Sequence, residues 1–217
     1  MTPRERIAAR IAQELHDGDV VNLGIGMPVL VANFIPEGIH IQLHTENGMI
    51  GAGPAAQAGQ EDWEITSAGA EAMTVLPGGS FFDSALSFAI ARGGHVDVAV
   101  LGAFQVDEQG NLASWAVPGG KVTGMGGAMD LVVGSRRVIV AMEHVTRQGE
   151  PRILHHCTYP LTAQGQVDMI VTDRAVISVT PEGLLLREIM PGWTLEEVLA
   201  STEANLLLPE EGVKRLA

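Results

Sequence analysis

Val96-Asp97-Val98-Ala99-Val100-Leu101-Gly102 is followed by Gly124-Met125-Gly126-Gly127-Ala128-Met129-Asp130-Leu131-Val132-Val133-Gly134, and that stretch by Arg137-Val138-Ile139-Val140-Ala141-Met142-Glu143. The first and third are short apolar runs with the composition of buried strands. The middle one reads as a glycine turn feeding a short helix. Strands separated by helices predict an α/β fold: an open, mostly parallel sheet flanked by helices.

The pattern repeats outward. Thr2-Pro3-Arg4-Glu5 reads as a helix start, with threonine at the N-cap, proline at N1 and glutamate at N3. Ile7, Ala8, Ile11 and Leu15 supply an apolar face, and Gly18 is expected to mark the helix end. Residues 19–24 read as a buried strand, 28–34 as a helix and 38–44 as a second strand. Residues 51–79, rich in Gly, Ala and Pro, read as a long excursion over the sheet edge, with a short extended piece near Trp63–Thr66. Ser80–Asp83 reads as the start of another helix, closed by Gly93-Gly94. Residues 169–189 read as a strand pair turning at Thr180–Gly183, which predicts antiparallel C-terminal edge strands. Thr194–Glu197 reads as the cap of a last helix. No repeat or linker interrupts residues 1–217, so one domain is expected.

Composition narrows the function. The 217 residues carry 13 basic and 26 acidic side chains, a formal charge of −13, and 4% aromatics. That balance argues against a chain that coats nucleic acid or an anionic membrane, and no apolar run is long enough for a membrane span. The N-terminal residues lack the apolar stretch of a secretory signal. The single cysteine, Cys157, excludes an internal disulfide framework. A reducing compartment, the cytoplasm, is the expectation.

Three glycine turns follow predicted strands, at 24–28, 48–54 and 124–127. Glycine lets backbone N–H groups approach an oxygen, and a following helix adds partial positive charge. None fits the dinucleotide or P-loop spacing. Between Ile41 and Gly120 there are nine acidic residues and one basic residue, Arg92, whereas Lys121–Arg152 holds five basic and three acidic ones. The second stretch is the better place for an anion, or else a solvated surface. Glu46, at a strand end before Asn47-Gly48, is a candidate base, ligand or nucleophile.

Leu43-His44-Thr45-Glu46-Asn47-Gly48-Met49-Ile50-Gly51 closely resembles the active-site signature of two-subunit CoA-transferases, the succinyl-CoA:3-oxoacid CoA-transferase family. That family usually has serine where this chain has Thr45, which keeps the hydroxyl. Asn22–Pro36, Arg92–Val106 and Gly124–Val132 resemble further segments of the B (beta) subunit, so the likeness runs through nearly the whole chain.

The resemblance implies a CoA-transferase B-subunit-like fold in which Glu46 is the nucleophile. Gly127, with Gly126 second, supplies the backbone N–H that steadies the oxyanion. Coenzyme A is a substrate, and no cofactor is bound permanently. The implied partner is the family's A subunit, in a heterodimer or an A2B2 heterotetramer. The implied reaction moves CoA between an acyl-CoA such as succinyl-CoA and a 3-oxo acid such as acetoacetate. A 3-oxoadipate, acetate or butyrate enzyme, or an acyl-CoA hydrolase, remains open on the same scaffold. A non-catalytic anion-binding regulatory domain is the alternative outside enzymes.

Further candidates for binding substrate or CoA are Gly24, Gly26, Asn47, Gly48 and Lys121. Gly24 and Gly26 either line the pocket or shape the strand–helix corner. Asn47 either orients Glu46 or caps its own turn. Lys121 and nearby arginines meet CoA phosphates or simply face solvent. His44 either tunes Glu46 or is a satisfied strand-end histidine. His155-His156-Cys157 places too few ligands on one face for zinc, so no metal is expected. Met27, Met49, Met125 and Met129 either line an acyl pocket or, as the default, pack in the core.

Overall fold

The computed structural model describes residues 1–120 and 122–216. Its strands are β1 (Val20–Leu23), β2 (Gln42–Thr45), β3 (Met49–Ala55), β4 (Met73–Phe81), β5 (Val98–Gly102), β6 (Gln105–Asp107), β7 (Leu112–Ala113), β8 (Arg137–Ala141), β9 (Ile153–Leu154), β10 (Met169–Val171), β11 (Ala175–Thr180), β12 (Gly183–Ile189), β13 (Leu206–Leu207) and β14 (Lys214–Arg215). Its α-helices are α1 (Pro3–Ala12), α2 (Ser84–Arg92), α3 (Ala128–Gly134) and α4 (Leu195–Ala200).

The main sheet runs β13-β12-β11-β10-β8-β5-β1-β2-β3-β4, with β14 beside β12. Its centre, from β10 through β8, β5 and β1 to β2, is parallel throughout. Antiparallel strands extend it on both sides: β11 and β12 beyond β10, β3 and β4 beyond β2. A separate small sheet joins β7, β6 and β9. The mostly parallel sheet with antiparallel C-terminal strands is therefore as expected.

Burial explains the apolar runs. Val98 and Val100 pack on one face with Ile7 and Ile11 of α1 and with Val31. Leu101, Val138 and Val140 pack on the other face with Ala91 of α2 and with Leu131 and Val132 of α3. A central strand covered on both faces has no polar side to show. The helix caps are local: the Thr2 hydroxyl accepts from the Glu5 N–H while Glu5 accepts from the Thr2 N–H, and Thr194 and Glu197 repeat the arrangement.

Several expectations differ from the structure. Helix α1 ends at Ala12 with Gln13 as its cap, and Gly18 instead donates to the His40 carbonyl at 2.8 Å. Pro28–Phe34 is a 3-10 helix, not an α-helix. Residues 51–55 and 73–79 belong to the antiparallel pair β3 and β4, with 56–72 as the excursion between them, because pairing at the sheet edge beyond β2 overrides the weak strand propensity of Gly, Ala and Pro. Ser80-Phe81 completes β4, so α2 begins at Ser84 with Asp83 as its N-cap. The 169–189 region is three strands, of which β11 and β12 form the predicted hairpin and β10 joins the parallel centre.

Candidate active site

The parallel strands β1, β2, β5 and β8 bring their carboxyl ends to one edge of the sheet, where open α/β folds bind ligands. Glu46 sits there, one residue beyond β2. The parallel register sets Asn22 of β1 opposite His44 of β2. His44 and Glu46 are two residues apart and share a face, so Asn22 reaches both. The Asn22 Nδ2 donates to Glu46 Oε2 and to the His44 carbonyl, each at 3.1 Å. These acceptors fix the orientation of the Asn22 amide. They also set the His44 tautomer, since the same Nδ2 lies 3.3 Å from His44 Nδ1. The ring proton then belongs on Nε2, which donates to Ser87 Oγ of α2 at 2.9 Å, and the Ser87 hydroxyl donates on to the Thr45 carbonyl at 3.3 Å. Burial lowers the His44 pKa, while the charge of Glu46 works the other way, so the ring is neutral at pH 7.

Gly127, the N-cap of α3, closes the site from the other side. A Cβ there would stand 2.9 Å from Phe88 Cε1 and 3.2 Å from Glu46 Cγ, so only glycine leaves the backbone this close to the Glu46 side chain. Among the described residues neither the Gly126 nor the Gly127 N–H has an acceptor. Gly126 has φ +50 and open space around it.

The other candidates separate by position. Gly26 (φ +89) lines a cavity of about 160 Å³ beside Glu46. Gly24 lies at the strand–helix corner: its N–H donates to the Val100 carbonyl at 2.8 Å, and a Cβ would come within 3.1 Å of that oxygen. Gly48 (φ +129) lets the turn after Glu46 pass under β4, where a Cβ would fall 2.0 Å from the Phe82 carbonyl oxygen. Asn47 donates from Nδ2 to the Thr66 carbonyl at 2.8 Å, a bond that leads away from Glu46. Lys121 lies outside the described residues. Arg136 pairs with Asp97 at 2.7 Å and Arg137 with Glu14, both at the amino edge of the sheet. Arg147 and Arg152 instead line a cleft of about 790 Å³ that shares Ile25 with the Glu46 cavity.

His155 pairs with Glu108 at 2.7 Å, and burial together with the charge of Asp107 pushes the Cys157 thiol up to about 12. Among the described residues no group of three or more His, Cys, Asp or Glu is arranged to hold a metal ion. Met49 is buried and Met27 packs against the core, whereas Met125 is 41% exposed. No helix among those described is long and apolar enough to cross a membrane. Asn22 and Ser87, both fully buried, are not among the candidate site residues read from sequence. Asn22 opens the segment Asn22–Pro36 and is the polar residue inside the apolar run Asp19–Gly24, the signal that points to it, whereas Ser87 belongs to no motif that the sequence displays.

A sequence model of the family described as "Coenzyme A transferase" matches residues 4–201. The chain belongs to the coenzyme A transferase family. Members of this family are enzymes that transfer CoA, with CoA as substrate. The chain is 55% identical to the beta subunit of the acetate CoA-transferase of Escherichia coli K12 over 205 residues, 94% of each chain. It is 49% identical to the B subunit of a probable succinyl-CoA:3-ketoacid coenzyme A transferase of Bacillus subtilis, over 95% of this chain and 96% of that one. The family fold is also that of the acyl-CoA transferase YdiF of Escherichia coli O157:H7, with a TM-score of 0.79 at 21% identity; the match covers 99% of this chain and 43% of that one.

Proposed function

We propose that this chain is the catalytic B subunit of a two-subunit CoA-transferase that moves CoA between an acyl-CoA and a short carboxylic acid, a 3-oxo acid such as acetoacetate, through Glu46. The observation that carries this reading is the approach of Gly127 to Glu46: a carboxylate held by Asn22 lies against a glycine whose N–H has no acceptor among the described residues.

The chemistry balances without any added energy source. A Glu46 carboxylate oxygen attacks the thioester carbonyl carbon, the C–S bond breaks, and CoA leaves as thiolate. The anhydride left on Glu46 is then attacked by that thiolate at the glutamyl carbonyl carbon. The donor acid departs as carboxylate, and a glutamyl-CoA thioester remains. The acceptor carboxylate attacks this thioester and releases CoA thiolate. The thiolate then attacks the acceptor's acyl carbon, freeing acyl-CoA and the Glu46 carboxylate. Each attack puts negative charge on an oxygen, and the N–H of Gly127, with that of Gly126 second, steadies it. A carboxylate is a weak nucleophile in water, and holding it in a half-enclosed cavity offsets that. Ping-pong kinetics follow.

The partner is the A subunit of such an enzyme, in an A2B2 heterotetramer, and it completes the site above the exposed Ile25 and Met125. The test uses the co-purified complex. It is mixed with acyl-CoA and no acceptor, treated with borohydride, and digested for mass spectrometry. Reduction of Glu46 to the alcohol is expected; an intact Glu46 in a complex that still turns over overturns the reading.

A further inference from the structure

We propose that the turn Thr66–Glu71 selects the acyl group at Glu46, admitting short acyl chains that are uncharged at their far end and rejecting those that end in a carboxylate, with Asn47 as its positioning residue. This rests on the reading of Glu46 as the acylated residue.

The cavity beside Glu46 has one wall from Leu23, Val29 and Leu30 and another from Ser67, Ala68 and Glu71. At about 160 Å³ it matches the size of a pocket that takes a benzene-sized group, which suits an acyl chain of about four to six carbons. Its titratable lining residues are His44, Glu46 and Glu71; none of the described lining residues is Lys or Arg. With His44 neutral, a carboxylate at the far end of an acyl chain meets the like charges of Glu46 and Glu71 and no opposite charge among the described lining residues.

The selecting wall is built to hold still. The Ser67 hydroxyl accepts from the N–H groups of Gly69 and Glu71, both at 3.2 Å. The Ala70 N–H donates to the Ser67 carbonyl, and Thr66 bridges to Ala72. Ala70 has φ +60, the only positive φ outside glycine among the described residues, a conformation that persists only where its surroundings hold it. Asn47, next to Glu46, anchors this turn through Thr66. Gly69 packs close to Ile25, where a Cβ would lie 3.5 Å from Ile25 Cγ1, and both line the cavity, so a shift of the turn changes the space available to the acyl chain.

The first half-reaction tests this without an acceptor. The complex with its partner chain is mixed with acetyl-, butyryl-, octanoyl-, succinyl- or glutaryl-CoA, and the rate of CoA attachment to Glu46 is read by mass spectrometry. Wild type is expected to load butyryl-CoA about tenfold faster than succinyl-CoA, and Glu71→Gln to narrow that ratio about tenfold. Asn47→Ala is expected to raise the octanoyl-to-butyryl loading ratio, a readout that a merely structural role does not move. Succinyl-CoA loading as fast as butyryl-CoA in wild type overturns the proposal with no variant involved, as does an unchanged ratio in folded Glu71→Gln. If no donor attaches CoA to Glu46 at all, it is the Glu46 reading that fails.

Discussion

Asn22 Nδ2 and Glu46 Oε2 lie 3.1 Å apart across two parallel strands, with Asn22 fully buried. One carboxylate oxygen is thereby held by a rigid amide, and the other has no hydrogen-bond partner among the described residues. A hydrogen bond to a charged group contributes about 1.5–3 kcal/mol. Asn22→Ala should therefore lower kcat roughly 10- to 100-fold, with a smaller change in KM. Asn22→Asp should be worse, because it sets a second carboxylate beside the first. Steady-state kinetics of the two variants checks this, and a kcat within twofold of wild type for both counts against the assigned role of Asn22.

Gly127 and Gly126 should respond differently to alanine. At Gly127 the φ of −84° suits alanine, but the added methyl meets Phe88 at 2.9 Å and Glu46 Cγ at 3.2 Å. Alanine keeps the N–H, but its methyl forces Glu46 and the Gly127 backbone apart. Gly127→Ala is therefore expected to lower kcat by up to the amount lost when an oxyanion donor is removed, about 2.7–4 kcal/mol in the barrier, and to lower stability by about 1–3 kcal/mol, as in an overpacked site. At Gly126 the space is open and the φ of +50° is the obstacle. Gly126→Ala should cost about 1–2 kcal/mol of local strain and far less activity. Melting curves and kinetics measured together distinguish the two patterns.

Arg10 ties α1 to the sheet. Its Nε donates to Glu188 Oε2 at 2.6 Å and its Nη1 to Glu14 Oε1 at 2.8 Å, with all three side chains largely buried. Burial opposes the charge of each, but the bonds outweigh it, so the Arg10 pKa is held up and those of Glu14 and Glu188 are held down. Arg10→Ala leaves two partly buried carboxylates short of a partner and should cost about 3 kcal/mol. Urea unfolding should show a lower midpoint at unchanged slope.

What can be read from sequence tracks how local its cause is. The capping box Thr2–Glu5 involves residues three apart, and its helix start is legible. The runs of β5 and β8 are legible because burial on both faces leaves no polar position. The β3–β4 hairpin is not, since Gly-, Ala- and Pro-rich residues become strand only through pairing at the sheet edge. Strands β6, β7 and β9 are two or three residues long, too short to show a period. The Glu46 turn stands out as a motif, but the Asn22 amide on its carboxylate is 24 residues away, and the Phe88 ring against Gly127 is set by the packing of α2 on α3. A lone buried Asn reads the same whether backbone or a side-chain carboxylate satisfies it.

Acid stability should depend on His144, which is fully buried with Nδ1 2.9 Å from Thr172 Oγ1 and Nε2 2.9 Å from Thr202 Oγ1. Burial, then the charge of Arg174, lowers its pKa from 6.5 to about 3. Below pH 6.5 the unfolded chain gains a proton that the folded chain refuses, so stability falls as pH falls toward 3, by up to about 1.4 kcal/mol per pH unit. Burial lowers the pKa of His44 in the same direction. Glu14 and Glu188, with pKa values lowered from 4.5, weaken the fold only below that pH. Between pH 6.5 and 4.5 the slope is therefore histidine's. His144→Gln should be less stable at pH 7, having lost the fit between two threonines, yet its stability should fall less steeply across this window. Urea unfolding at half-unit pH steps measures both slopes; parallel curves for wild type and variant would mean that His144 takes up its proton without unfolding.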